Sequence, residues 1–304
     1  MSTPAVPVHV GPEAHPEIVS AVERGGGRIV EAERARALVW LDPFSPDLGD
    51  ALGDDVAWVQ LPSAGVGHWV ANGVIDGQRT FTGAQGVYAT MVAEHALTLM
   101  LAGDRRIAEC ARAASWTSRF GRPLSGASVA IVGCGGIGEE LIRFLRPFDA
   151  EIHAVTRSGR QVSGATHSLP ASDVGEVWPL VDHVVLAAPA TPETAGLVDA
   201  DVLSSMREDA WLTNVGRGDL VDTEALLDAL EAGSIAGAAL DVTDPEPLPD
   251  DHPLWQEPRA LVTPHSANPP ERMLRALAAR VTANLRRFAA GEALLGVVDL
   301  ERGY

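Results

Sequence analysis

The feature that most restricts the fold of this chain is a glycine-rich turn, Gly133–Gly138, directly after the apolar run Val129–Val132. Glycines at the first, third and sixth positions after a strand are typical of the turn that opens a dinucleotide-binding βαβ unit. Gly133 would form the tight turn, Gly135 would let a pyrophosphate approach, and Gly138 would pack a helix on the strand. The helix N-terminus would bind the phosphates through its free N–H groups.

The end of the next strand indicates which dinucleotide is bound. Folds that prefer NAD carry Asp or Glu there, and the carboxylate binds the ribose 2′-hydroxyl. This chain has no carboxylate at that place, and four residues that could bind a 2′-phosphate occupy it: Thr156, Arg157, Ser158 and Arg160. Two guanidinium groups and two hydroxyls favour NADP(H), with NAD(H) as the second possibility. The alternative is a solvated basic loop with no role in binding.

Short apolar runs alternate with helical stretches on both sides of the glycine turn, which predicts parallel sheets. Because the turn opens its own domain, the residues before it must form mostly another one. The C-terminal tail is too short to be a domain and would complete the first. We therefore expect an α/β protein with two Rossmann- or flavodoxin-like parallel-sheet domains. They are a discontinuous substrate domain of residues 1–90 and 272–304, and a nucleotide-binding domain of residues 91–271.

The longest helical candidate runs from Tyr88 to about Ala114, and its stretch Ala96–Ala102 is apolar on all faces. Such a stretch predicts burial on every side. A domain junction, a dimer interface or a central core position would each provide that burial.

Composition excludes several kinds of chemistry. The formal net charge is −18, which argues against nucleic acid and anionic membranes as partners. The 23 lysine and arginine residues are all arginine, so a lysine Schiff base and a Walker-A lysine are excluded. Cys110 and Cys134 lack a metal-binding spacing, and we expect no metal site. The absence of a signal peptide and of an apolar run of about 18 residues predicts a cytoplasmic location.

Three residues suited to a 2-oxo acid follow in order along the second domain. They are Arg217 in a Gly-Arg-Gly turn, Glu246 between two prolines, and His265 after Thr-Pro. A fixed cation can stabilise charge on a carbonyl oxygen, and an imidazolium paired with a carboxylate can protonate it. Each residue alone could be structural. Because strands are expected to end at Asn214 and Thr263, Arg217 and His265 should lie at the carboxyl edge of the sheet, where ligands bind.

In motif order the chain resembles the D-isomer-specific 2-hydroxyacid dehydrogenases. The resemblance also rests on Ser63–Val66, Val92–His95, Pro189–Thr194 and Gly237–Val242. It implies hydride transfer from NAD(P)H to a small 2-oxo acid such as glyoxylate, hydroxypyruvate or pyruvate, giving the D-2-hydroxy acid. It further implies an active site in a cleft between the two domains, and a homodimer.

The resemblance implies a role for each residue. Arg217 would bind the substrate, His265 would be the general acid and base, and Glu246 would hold the histidine's tautomer. The main chain at Ala64 and Gly65 would bind the substrate carboxylate. Further positions are implied to contact the cofactor, with the last of them at the nicotinamide carboxamide: Gly136, Ile137, Ala188, Pro189, Thr194, Val215, Gly216 and Asp241.

Two other functions stay open at this point. The first is a formate- or phosphite-type dehydrogenase of the same superfamily, in which an amide is expected in place of Glu246. The second is a non-catalytic NAD(H)-sensing binding protein that resembles the C-terminal-binding corepressors. His95, in an apolar helical stretch, is interpreted as a structural residue.

Overall fold

The structure is a computed structural model that describes residues 4–116, 118 and 120–300. The chain divides into two compact units. Unit 1 comprises Met1–Tyr88 and Pro269–Tyr304, and unit 2 comprises Ala89–Asn268. The outermost residues of the predicted substrate domain, 1–3 and 301–304, lie outside the described residues. Within the described part of the chain, no helix combines the length and the apolar character needed to cross a membrane.

The described residues form short strands connected mostly by helices. The strands are β1 (Val6–Gly11), β2 (Gly27–Ile29), β3 (Ala37–Trp40), β4 (Trp58–Gln60), β5 (Thr80–Thr82), β6 (Ser128–Val132), β7 (Glu151–Thr156), β8 (His167–Pro170), β9 (His183–Leu186), β10 (Trp211–Asn214), β11 (Gly237–Leu240) and β12 (Ala260–Val262). The α-helices are α1 (Pro16–Arg24), α2 (Gly67–Ala71), α3 (Ala89–Asp104), α4 (Ile107–Arg112), α5 (Gly136–Leu145), α6 (Ala200–Ser205), α7 (Thr223–Ala232) and α8 (Pro270–Ala290).

Unit 1 is built on a five-stranded parallel sheet in the order β2-β1-β3-β4-β5. This is the flavodoxin-like order, with its switch point between β1 and β3. Helix α8 packs against α1, and its Val281 and Leu285 share a buried cluster with Val8 and Val22. The chain therefore leaves unit 1 after Tyr88 and returns to it through an amphipathic helix whose apolar face completes the core.

Unit 2 is built on a seven-stranded parallel sheet in the order β8-β7-β6-β9-β10-β11-β12. From the first strand, β6, the chain adds β7 and β8 on one side and then β9 to β12 on the other. This is the Rossmann order, with its switch point between β6 and β9. The expectation of two parallel-sheet α/β domains is confirmed.

The helix expected from Tyr88 to about Ala114 is wrong in its extent. The structure divides this segment into α3 and α4, and Arg106 between them has a left-handed φ of 52°. The carbonyl of Asp104 accepts the N–H of Arg122 at 2.9 Å, and its carboxylate accepts Nε of Arg122 at 2.8 Å. A carbonyl held by a residue outside the helix no longer supports the next helical turn. The longest described helix is instead α8, with 21 residues.

The strand ends expected from the sequence lie within one residue of the observed ones: Asn214 ends β10, and Thr263 follows Val262, the last residue of β12. Three other strands were not predicted. The missed strands, β2, β5 and β8, are three or four residues long and lie at sheet edges. Each of these three strands is partly exposed and contains polar residues, such as Arg28, Thr80 and His167, so it carries no continuous apolar run. The signal used to find strands was therefore absent from these three.

Candidate active site

The carboxyl ends of the central strands in unit 2 lie level with one another. The registers align Val132 with Leu186, Leu186 with Asn214, and Asn214 with Leu240. Leu240 in turn pairs with Val262. Each of these residues ends its strand, so the loops that follow leave from one edge of the sheet. The predicted cofactor and catalytic positions of unit 2 lie on these loops, at or directly after the end of β7, or in the first turn of α5.

The glycine turn has the close contacts that its three glycines were expected to permit. Gly133 has a φ of 90°, and a Cβ there would lie 2.4 Å from the backbone of Ala188. A Cβ on Gly138 would lie 2.8 Å from Sγ of Cys134, so the helix could not pack as closely. At Gly135, by contrast, a Cβ would meet no atom within 4 Å. The space beside Gly135 is therefore open to a ligand.

Helix α5 begins at Gly136. No earlier helical turn supplies carbonyl groups to accept hydrogen bonds from the N–H groups of its first turn. Gly136, Ile137 and Gly138 thus supply unsatisfied donors at the positive end of the helix dipole. Together with the open space at Gly135, these donors fit a pyrophosphate. Cys134 is buried, and burial, with the nearby Glu139, raises the pKa of its thiol to about 12. It is a neutral packing residue.

The end of β7 and the segment after it, which are predicted to bind the adenosine ribose, carry several polar side chains. Thr156 ends β7, and its hydroxyl oxygen is buried without a hydrogen-bond partner among the described residues. Arg157 and Ser158 follow with exposed side chains. Within the described part of the chain, the guanidinium of Arg157 makes no ion pair. An unpaired hydroxyl and an unpaired cation are consistent with a binding site for a phosphorylated ribose.

Arg160 has a different setting from Arg157. Its Nη2 donates to the carbonyl of Cys134 at 2.8 Å and to Oε1 of Glu139 at 2.6 Å. It therefore connects the loop after β7 to the glycine turn and to the first turn of α5. Part of its charge is already balanced by Glu139, so Arg157 is the stronger candidate for a 2′-phosphate.

The remaining predicted cofactor positions on the loops after β9 and β10 lie close to the glycine turn. The backbone of Ala188 lies against Gly133, and a Cβ on Gly216 would lie 2.8 Å from the carbonyl oxygen of Ala188. The hydroxyl of Thr194 donates to the carbonyl of Pro189 at 2.7 Å. Val215 is buried directly after β10. These contacts bring the loops after β6, β9 and β10 into one close-packed group.

Arg217 is held by its own loop. The amide of Asn214 donates to the carbonyl of Arg217 at 2.8 Å, and its oxygen accepts the N–H of Gly216 at 3.0 Å. Nη1 of Arg217 donates to the carbonyl of Gly216 at 2.7 Å. The half-buried guanidinium makes no ion pair with any residue that the structure describes. A positioned cation without a carboxylate partner can bind an anionic ligand.

His265 and Glu246 form a direct pair. Nδ1 of the histidine lies 2.6 Å from Oε1 of the glutamate, and the two side chains are 49% and 40% exposed. Because an ionised carboxylate only accepts hydrogen bonds, Nδ1 carries the hydrogen and Nε2 is left to exchange a proton. His265 also has a left-handed φ of 49°, and its N–H donates to the carbonyl of Asp241 at 2.8 Å.

Asp241 is buried, and its hydrogen bonds hold the loop that carries His265 in place. Its carboxylate accepts the hydroxyl of Thr263 at 2.6 Å and the N–H groups of Ser266 and Ala267 at 2.9 and 3.2 Å. Nε2 of His95, on α3, lies 3.2 Å from the same carboxylate. Burial alone would raise the pKa of Asp241, but hydrogen bonds from His95, Thr263 and Ser266 lower it to about 2.

Sequence reasoning missed these contacts. It assigned Asp241 to the cofactor alone and treated His95 as an isolated structural residue. The structure joins them through Thr263, whose hydroxyl lies 3.0 Å from Nε2 of His95. The only signal was the placement of Asp241 and Thr263 directly after predicted neighbouring strands. Their contact with α3 depends on helix packing, which the spacing does not encode.

The predicted substrate-binding main chain lies in unit 1, in the loop after β4. The carbonyl of Ala64 accepts Nε2 of Gln85 at 3.2 Å, and that of Gly65 accepts Oγ of Ser63 at 2.8 Å. The N–H groups of Ala64 and Gly65 donate to no acceptor in the described part of the chain. They are free to bind an anion, and their role stays a prediction.

Comparison with known proteins decides the family. Residues 97–267 match the family described as D-isomer specific 2-hydroxyacid dehydrogenase, NAD binding domain. The chain belongs to the D-isomer-specific 2-hydroxyacid dehydrogenase family. A glyoxylate reductase/hydroxypyruvate reductase of Mus musculus is 31% identical over 83% of this chain and 80% of its own length. An uncharacterized protein of Corynebacterium melassecola is 40% identical over 94% of this chain and 95% of its own.

Solved structures agree with the assignment to the 2-hydroxyacid dehydrogenases. A family member from Xanthobacter autotrophicus Py2, in complex with NADPH and MES, has a TM-score of 0.86 and 27% identity over the full length of both chains. An NADPH-dependent glyoxylate/hydroxypyruvate reductase of Sinorhizobium meliloti, in complex with NADP and sulfate, has a TM-score of 0.84 and 26% identity. That match covers 98% of this chain and all of the other.

The substitution Asp241→Asn should destabilise unit 2 in a pH-dependent way. The folded-state pKa of about 2 lies below the value of about 3.9 in an unfolded chain, so ionised Asp241 stabilises the fold above pH 4–5 and loses this effect as the pH falls towards 2. At pH 7 the variant should lose about 2 kcal/mol of unfolding free energy. Urea unfolding of both proteins between pH 7 and 3 measures the difference.

The control for this experiment is Asp228→Asn, which changes an exposed carboxylate on α7. It should leave the unfolding free energy nearly unchanged at every pH. A gap between wild type and Asp241→Asn that stays constant down to pH 3 would contradict the role given to the ionised carboxylate.

Proposed function

We propose that the protein is an NAD(P)H-dependent reductase of small 2-oxo acids that forms D-2-hydroxy acids, with substrates of the glyoxylate, hydroxypyruvate and pyruvate class. One observation carries this proposal. The unpaired guanidinium of Arg217 and the His265–Glu246 pair leave the same sheet edge as a glycine turn with open space beside it. Strands lie about 4.8 Å apart, so the ends of β10 and β12 are separated by about 10 Å, a distance that a small acid and two side chains can span.

Proton transfer follows from the pairing of His265. A bound reduced nicotinamide supplies the hydride. As the carbonyl carbon is reduced, Nε2 of His265 donates its proton to the carbonyl oxygen, and the ring is left neutral with its hydrogen on Nδ1. Glu246 holds that hydrogen and stabilises the imidazolium before transfer. In the oxidative direction the same Nε2 accepts the hydroxyl proton.

Arg217 contributes charge stabilisation. Negative charge develops on the carbonyl oxygen before the proton arrives, and a fixed guanidinium lowers its energy without reorganisation. The hydrogen bond from Nη1 to the carbonyl of Gly216 limits the motion of the side chain. Its remaining N–H groups are free for the carboxylate and the carbonyl oxygen of a 2-oxo acid.

Glu246 distinguishes this activity from the first alternative. A formate- or phosphite-type site is expected to have an amide beside the histidine, but here a carboxylate oxygen lies 2.6 Å from Nδ1. A sensing protein that resembles the corepressors would keep the same three residues, so the measurement that separates it from a reductase is turnover of 2-oxo acids.

Variants of the three residues should separate their roles. With a 2-oxo acid panel and saturating NADPH, His265→Ala should lower kcat by about 10²–10⁴-fold, because the proton donor is lost. Arg217→Ala should lower kcat and raise KM, because the cation binds both substrate and developing charge. Glu246→Gln should give a smaller loss of kcat. NADPH affinity, measured by fluorescence titration, should stay close to wild type in all three.

His15→Asn serves as the control, since it removes an exposed imidazole from the start of α1 but keeps a side-chain acceptor for the N–H of Glu17. Its kinetics should equal those of the wild type. If the wild type binds NADPH yet reduces no 2-oxo acid with either cofactor, the proposed activity is wrong and the sensing alternative gains support.

We further propose a preference for NADP(H). No carboxylate follows β7, and the cation of Arg157 is unpaired within the described residues. The two related structures from Xanthobacter and Sinorhizobium contain NADPH and NADP. A 2′-phosphate would provide the anion that Arg157 lacks, and Ser158 would supply a hydroxyl donor beside it.

The preference is tested by initial rates with both cofactors. The wild type should have a higher kcat/KM with NADPH than with NADH. Arg157→Ala should lower kcat/KM for NADPH by about tenfold or more, the scale of a lost charge-assisted hydrogen bond, and leave that for NADH nearly unchanged. The control Arg143→Ala removes an arginine of α5 that pairs with Glu140. Equal losses with both cofactors in Arg157→Ala would count against the proposal.

We also propose that the protein is a homodimer. The cytoplasmic location expected from the sequence stays a prediction. The residues that the structure describes leave part of the apolar stretch in α3 uncovered, since Leu97 and Leu101 are only half-buried. Beyond α3, Ile107, Trp116 and Phe120 are 54%, 100% and 85% exposed. Large apolar side chains concentrated in one segment are typical of a subunit interface. A second copy would bury them.

Sedimentation velocity should give twice the chain mass of 31.9 kDa for the wild type. The double variant Trp116→Ser, Phe120→Ser should shift the protein towards the monomer, because it removes apolar area from the interface. Phe44→Ser changes a side chain of unit 1 that is 89% exposed and should have no effect. A monomeric wild type, or equal weakening by the two changes, would contradict the proposal.

A further inference from the structure

Three side chains that commonly bind metals meet at the amino ends of β7 and β8. Glu151 and His153 lie two residues apart on β7, so their side chains point to the same face of the sheet. His167 begins β8 and pairs directly with His153 in the register of the two parallel strands. The two imidazole centroids are 4.7 Å apart. The sheet register therefore brings all three side chains together on one face.

The distances fit a small tetrahedral ion. Oε1 of Glu151 lies 3.1 Å from Nε2 of His167 and 3.5 Å from Nε2 of His153. One ligand atom from each of the three residues can be chosen so that all lie within 4.8 Å of one another. Zinc bonds of about 2.0–2.1 Å in a tetrahedron place neighbouring ligand atoms about 3.4 Å apart. The two distances from the Glu151 carboxylate to the histidine nitrogens are close to this value.

The chemistry of the three groups also suits such an ion. Two imidazoles and one carboxylate are a common ligand set for zinc, with water in the remaining position. His153 is 9% exposed and lies at the inner side of the cluster. The side chains of Glu151 and His167 are about half exposed, so an ion and water can enter.

The cluster is separate from the candidate active site. The nucleotide-binding groups lie at the carboxyl end of β7, where Thr156 ends the strand. Glu151 begins it, five residues earlier, at a distance of about 16 Å along an extended strand. None of the three residues has a part in the proposed reaction.

We propose that Glu151, His153 and His167 bind one divalent transition-metal ion of the zinc class, which cross-links β7 to the edge strand β8. Sequence spacing did not indicate this site, because His167 is 14 residues from His153 and only the strand pairing joins them. The competing interpretation is a histidine–glutamate hydrogen bond with no ion.

Calorimetric titration of the tag-free, chelator-treated full chain with ZnCl2 tests the proposal, with CoCl2 as a spectroscopic probe. We expect one ion per chain with a dissociation constant in the micromolar range or tighter. Cobalt should give the visible absorption of a four-coordinate site. His167→Gln and Glu151→Gln should each weaken binding by about tenfold or more, since each removes one of three protein ligands. Both residues are exposed, so these changes spare the core.

The control His15→Asn removes an exposed imidazole elsewhere and should bind zinc like the wild type. NADPH titration and thermal unfolding of each variant establish that it is folded. Absence of stoichiometric binding in the wild type would overturn the site. So would unchanged affinity in folded His167→Gln, or an equal loss of affinity in His15→Asn. Retained reductase activity with no zinc binding would remove this proposal alone and leave the proposed function intact.

Discussion

The geometry of the candidate active site depends on one buried negative charge. Asp241 directly follows β11, and its carboxylate is hydrogen-bonded by Thr263 and by the N–H groups of Ser266 and Ala267. Its carbonyl accepts the N–H of His265, which has a left-handed backbone. A left-handed φ in a residue other than glycine costs about 1–3 kcal/mol and persists only where its surroundings fix it. The bonds around Asp241 provide that constraint.

A strongly acidic protein that binds anionic ligands needs cations at the binding site itself. Its net charge of −18 would repel a carboxylate or a phosphate at long range. Arg122 and Arg160 are already held by carboxylates of the fold. Within the described residues, Arg157 and Arg217 have no such partner, and both leave the carboxyl edge of the unit 2 sheet. Local, unpaired guanidinium groups there can outweigh the distant charge, since screening weakens it beyond about 8–10 Å.

The direction of the strands in unit 2 places the candidate active site and the cluster of Glu151, His153 and His167 at opposite edges of the sheet. In a parallel sheet every carboxyl end meets the same edge, so the glycine turn and the loops that carry Arg217, Glu246 and His265 gather there. The cluster of Glu151, His153 and His167 lies at the amino ends of β7 and β8. Side chains alternate between the two faces along β7, so Glu151 and His153 share one face. The register with β8 places His167 beside His153 on that face.

The sequence by itself determined the two parallel-sheet units and the glycine turn, and it indicated the candidate catalytic residues, because each depends on local patterns: apolar runs, special backbone requirements and motif order. It missed the short edge strands, the break at Arg106, the contact of His95 with Asp241, and the pairing of His153 with His167. Only the tertiary structure decided these, because each depends on which residues distant in sequence become neighbours. Helix packing and strand register determine such contacts, and the spacing of residues along the sequence does not predict them.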